Sequence, residues 1–107
     1  MTIKEENCIK RITQLRMQKD VSARDMSLSL GQSQSYINKI ENHKAIPSLS
    51  VLFNICEYFD VTEIEFFDYK NKYPHEMREL LNKFYKLDNR QVRYFTEMLN
   101  DVIKNYK

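Results

Sequence analysis

The stretch SARDMSLSLGQSQSYINKIEN, residues 22–42, reads as two short helices on either side of a glycine. Ser22 offers an N-cap oxygen, and Asp25 three residues on approximates a capping box with Asp in place of Glu. Met26, Leu28 and Leu30 are the inward candidates of the first helix. Gly31, the only glycine of the chain, stands where this helix should stop, a position that wants a positive φ. Ser33 is placed to cap the next helix, from Gln34 to about Asn42, with Ile37 and Ile40 turned inward and Tyr36 beside them. Ser33, Gln34, Ser35, Asn38 and Lys39 are then its outward positions. Two short helices that cross steeply over a tight turn need a small residue at the crossing, a turn residue that tolerates positive φ, and apolar anchors on the second helix. Ser27, Gly31, Ile37 and Ile40 supply all of these at compatible spacing.

Outward from this stretch, the pattern stays helical. Ile3, Cys8, Ile12 and Leu15 are expected on the buried face of a first helix, interrupted at Asp20-Val21. Pro47-Ser48 opens a fourth helix, with Leu49, Leu52, Phe53, Cys56 and Phe59 expected on one face. Thr62 and Glu65 form a capping box for a short fifth helix carrying Ile64, Phe66 and Phe67. Asp68 to Pro74 reads as a polar linker. Two further amphipathic patterns follow: Met77, Leu80, Leu81 and Phe84, then Val92, Phe95, Leu99, Val102 and Tyr106, widened by Met98 and Ile103. One glycine and two prolines leave room for little besides helices joined by short turns.

Composition narrows the function. No stretch approaches the roughly 18 apolar residues needed to cross a bilayer, and Met1 to Lys10 has no apolar signal core, so a cytoplasmic protein without a membrane partner is expected. Cys8 and Cys56 fall on apolar faces and read as small buried hydrophobes, not a disulfide. His43 and His75 stand apart, which argues against a metal site. A glycine-rich phosphate loop is impossible with one glycine, and no nucleophile–base set is visible. An enzyme is therefore not expected, nor a cofactor. Residues 1–48 hold eight Lys/Arg and five Asp/Glu, residues 49–75 two and five, and residues 76–107 seven and five. The first segment is thus suited to face a polyanion and the middle one to face away from it.

The carrying residues are Ile12, Leu15-Arg16, Met26-Ser27, Leu30-Gly31-Gln32-Ser33, Tyr36-Ile37-Asn38-Lys39-Ile40-Glu41-Asn42, Pro47-Ser48-Leu49 and Phe59-Asp60-Val61. In order and spacing, residues 7–68 resemble the lambda-repressor/Cro-like helix-turn-helix family, also called the XRE family, of bacterial and phage transcriptional regulators. The resemblance implies an all-α fold: a five-helix DNA-binding domain over residues 1–69, followed here by two C-terminal helices in residues 70–107. It implies that the third helix enters the major groove of double-stranded DNA, with Gln34, Ser35, Asn38 and Lys39 reading bases. Phosphate contacts would come from Ser22, Ala23 and Arg24 at the start of the second helix, from Ser33 and Tyr36, and from Asn42, His43 and Lys44. Arg16 and Glu41 match a pair that the family uses as an internal ion pair. The family often has Gln at Ala23, Ala at Ser27 and Gly at His43, so one phosphate contact is in doubt and the turn at His43 is strained or different.

The last 32 residues cannot hold two helices alone and must pack on something. The stripe Val92, Phe95, Leu99, Val102 and Tyr106 is expected to form a homodimer, giving a regulator, a repressor, that reads palindromic half-sites one DNA turn apart. The alternative is a protein-interaction module on the same scaffold, an antitoxin or an adaptor, whose stripe binds a small partner protein.

Overall fold

A computed structural model describes residues 1–106. Among these residues there are seven helices and no strand: α1 (Ile3–Lys19), α2 (Ala23–Ser29), α3 (Tyr36–Glu41), α4 (Leu49–Phe59), α5 (Glu63–Phe67), α6 (Pro74–Phe84) and α7 (Asn89–Asn105). They fall into two compact units, residues 1–72 and residues 73–107.

The helices of the first unit start and stop by local chemistry. Thr2 caps α1 in a reciprocal box with Glu5, Ser22 caps α2 through Asp25 N, Ser48 caps α4 through Val51 N, and Thr62 and Glu65 box the start of α5. The first four helices all end the same way. A residue in the left-handed region donates its N–H three residues back, and the next residue donates five back. Asp20, Gly31, His43 and Asp60 occupy that position, with φ of 58°, 73°, 61° and 53°. The paired bonds are Asp20 N to Met17 O and Val21 N to Arg16 O in α1, Gly31 N to Leu28 O and Gln32 N to Ser27 O in α2. In α3 they are His43 N to Ile40 O and Lys44 N to Lys39 O, and in α4 Asp60 N to Glu57 O and Val61 N to Cys56 O. Asp and His tolerate this region better than most side chains, which is how four such ends fit in a chain with one glycine.

The core of this unit is Ile9, Ile12 and Leu15 of α1, Met26 of α2, Ile37 and Ile40 of α3, Ile55, Cys56 and Phe59 of α4, Val61, and Phe66 of α5, with Cys8 at its edge. α1 is the shared wall, packing on α3, α4 and α5. Several apolar residues expected inside are not. Ile3, Leu28, Leu49 and Phe53 are exposed at 76, 52, 66 and 45%. Ile9 is buried in their stead, and so is Arg11, which is 2% exposed. The Arg11 guanidinium donates to the carbonyls of Phe66 (Nε, 2.8 Å) and Glu65 (Nη2, 2.8 Å) and to Gln14 Oε1 (2.9 Å). It thereby satisfies carbonyls in the last turn of α5 that the helix itself leaves without donors. Burial pushes its pKa down, opposed by nearby Asp68 and Tyr69.

In the second unit, Asp88 and Gln91 form a capping box at the start of α7, and Phe84 meets Phe95 edge-on at 5.7 Å. No residue of α7 is buried.

Candidate nucleic-acid interface

α2 and α3 meet through Ser27. Its side chain is fully buried, and its hydroxyl donates to Ala23 O (2.7 Å) while accepting from Ile37 N (2.9 Å). A residue expected only to be small therefore carries a bond between the two helices.

α3 opens later than the sequence suggests. Ser33 does not cap it through its side chain; its carbonyl accepts from Tyr36 N at 3.0 Å, a tight i to i+3 turn, and the α-type ladder begins with Lys39 N to Ser35 O. The N-cap is Ser35, whose side chain makes no capping bond. Gln34 and Ser35 consequently sit in the turn that leads into α3, not on the helix. Helix ends are set by such competition between local bonds, which hydrophobic spacing does not report.

From this frame the remaining positions follow. Ile37 and Ile40 are fully buried, while Ser33, Gln34, Ser35, Asn38 and Lys39 are exposed. Tyr36 is half-buried, and burial raises its phenol pKa. Asn42 Nδ2 donates to both Asn38 O (2.9 Å) and Asn38 Oδ1 (2.6 Å), tying the last exposed turn of α3 together. His43 and Lys44 are exposed beyond it. At the start of α2, Ser22 Oγ already accepts from Asp25 N at 3.0 Å, Ala23 is half-buried, and Arg24 is exposed.

The far end of α3 is held by charge. Arg16 Nε and Nη2 reach Glu41 Oε2 and Oε1 at 2.7 and 2.9 Å, and Nη1 donates to Val21 O at 2.9 Å. A fork of this geometry fixes orientation as well as distance. The hydrogen bond to Glu41 raises the Arg16 pKa. One guanidinium thus joins α1, the linker before α2, and the last turn of α3.

The arrangement is two helices with their inner faces locked and one polar, mostly uncharged outer face. Among the described residues, no group of three or more His, Cys, Asp or Glu side chains is placed to hold a metal ion. A family model for the helix-turn-helix matches residues 12–66, just over half of the chain. The chain belongs to the lambda-repressor/Cro-like helix-turn-helix family. No curated protein and no solved structure matches it. As a lambda-repressor/Cro-like protein it is a DNA-binding transcriptional regulator, and the family is typically non-enzymatic. Among the described residues, no helix is long and apolar enough to cross a membrane. The helix-turn-helix of this regulator is α2, the turn at 30–35, and α3.

Proposed function

We propose that this regulator is a sequence-specific repressor that occupies a palindromic operator as a homodimer, reading the major groove with α3 and the turn before it. One observation carries the reading: Ile37 and Ile40 are turned into the core while Gln34, Ser35, Asn38 and Lys39 are all presented outward. Gln34 suits paired hydrogen bonds to adenine, and Lys39 donates to guanine. Ser35 and Asn38 face the same groove. Ser22, Ala23, Arg24, Ser33, Tyr36, Asn42, His43 and Lys44 border this face and set the register against phosphates, Ala23 through its backbone N–H alone. Repression by occupancy needs nothing beyond DNA binding.

Residues 1–69 act as the DNA-binding domain and residues 70–107 as the dimerisation element. The support is the exposed stripe of α7 and its C-cap, where Val92, Phe95, Leu99, Val102 and Tyr106 are 37, 38, 51, 50 and 87% exposed. An exposed apolar stripe supports a contact surface. The same exposure supports a second reading, an antitoxin or adaptor in which a small partner protein takes that stripe.

The test is selection from random duplex DNA at two salt concentrations, with Gln34→Ala/Lys39→Ala beside the wild type. A palindromic site that weakens with salt and is lost in the variant is the expected result. Equal enrichment by both proteins, or none, removes α3 as the reading head and favours a protein partner.

A further inference from the structure

We propose that Ser27 is a positioning residue for base discrimination, acting from α2 as the N-terminal cap of α3; this rests on α3 being the reading head. α3 has six residues, too few to hold itself. The first N–H groups of any helix lack partners within it. Here the N-cap residue, Ser35, contributes no side-chain bond, and Tyr36 N is taken by Ser33 O. The next N–H, that of Ile37, is buried and is taken by Ser27 Oγ, ten residues away on the neighbouring helix. The Ser27 proton is committed to Ala23 O, so the oxygen lone pair is aimed at α3 and not free to rotate away.

Two polar tethers therefore hold α3, Ser27 at its first turn and Arg16 at its last. The Ser27 tether lies beside Gln34 and Ser35, whose turn leads directly into Tyr36. Paired hydrogen bonds to base edges tolerate little displacement, whereas phosphate contacts carry no sequence information and survive small shifts. Loss of the tether should therefore weaken discrimination more than DNA binding as such.

The experiment uses the full chain and the operator selected by the wild type. Affinities for that operator, for duplexes with single substituted base pairs in a half-site, and for unrelated duplex are compared in wild type, Ser27→Ala, Gln34→Ala/Lys39→Ala, and Ile12→Val as a control that loosens the core but leaves the Ser27 bond in place. Amide exchange at Ile37 is followed in parallel. Ser27→Ala is expected to lower the operator-to-mismatch ratio about tenfold, the scale of one lost buried hydrogen bond. Binding to unrelated duplex should stay within about twofold, and Ile37 exchange should accelerate. Ile12→Val should keep the ratio. If Ser27→Ala does not fold, Ser27→Cys makes the same comparison, since a thiol fills the site with a slightly larger atom but accepts poorly. An unchanged ratio, or one that falls equally in Ile12→Val, overturns the proposal while the loss of the site in Gln34→Ala/Lys39→Ala leaves the reading of α3 standing. If Gln34→Ala/Lys39→Ala selects the wild-type site, the reading head falls and the proposal falls with it.

Discussion

Gly31 and His43 close α2 and α3 with the same pair of backbone bonds and similar φ, yet only one is a glycine. A methyl group on Gly31 would meet nothing within 4 Å, so Gly31→Ala carries a conformational cost alone, about 1 kcal/mol. His43→Gly relieves the same conformation but loosens the unfolded chain, leaving a gain of about 0.5 kcal/mol. Urea titration of both variants should move the midpoint in opposite directions; movement in one direction contradicts this account. Cys56 offers a different probe. Burial first, then Glu63 and Cys8, raise its thiol pKa from 9.0 to about 11. The unfolded thiol ionises from about pH 9 while the folded one holds its proton to about 11, so its contribution is intact below pH 9 and is lost as pH rises through that window. Stability measured between pH 8 and 11 should decline less steeply in Cys56→Ala than in wild type.

At the scale of elements, the Arg16–Glu41 pair is the sharpest object for measurement. Both side chains are mostly buried, at 18 and 16% exposure. Removing either partner leaves the other charge under-solvated, at a cost of about 2 kcal/mol, below the value for full burial. A double-mutant cycle of Arg16→Met and Glu41→Gln should show coupling, since the second substitution removes the stranded charge; additive losses would mean that the two act separately. Much at this level is legible in the sequence. The caps at Ser22, Ser48 and Thr62 and the glycine turn are local signals, and the helices sit where those signals put them. Other features are not legible, because their cause is distant. Arg11 lies on the apolar side of α1 but gives no apolar signal, and what buries it is a helix end 54 and 55 residues away. Leu49 and Phe53 have the spacing of a buried face, but burial is decided by which neighbour arrives: α4 turns Cys56 and Phe59 inward as that spacing predicts, with Ile55 beside them in place of Leu49 and Phe53. Asp20 and Asp60 end helices as a glycine would, and each is followed by a valine and a cap, Ser22 or Thr62. That repeated Asp-Val-Ser/Thr signature could have marked both boundaries. The hydroxyl of Ser27 was hidden for the opposite reason: its size explains the crossing, so nothing in the spacing asks for its oxygen.

Across the molecule, charge is segregated along the sequence, while large apolar side chains are exposed in both units. The acidic residues 49–75 follow the basic residues 1–48, and the large exposed apolar stripe lies in α7. If that stripe joins two copies, Phe95→Glu/Leu99→Glu should sediment as a monomer and lose operator affinity about 100-fold or more, because two tethered reading heads become one. A dimer that persists in the variant removes α7 from the interface. The α1–α5 contact also has a consequence for how the protein is made. Arg11 leaves the ribosome early, but the two carbonyls that receive its guanidinium belong to Glu65 and Phe66. At roughly 5–20 residues per second, that interval lasts on the order of 3–10 s. Until then the guanidinium has neither carbonyl to donate to, so burying that side of α1 costs more than it does in the finished fold. Closure of the first unit around α1 is therefore expected to wait for its last short helix to be synthesised.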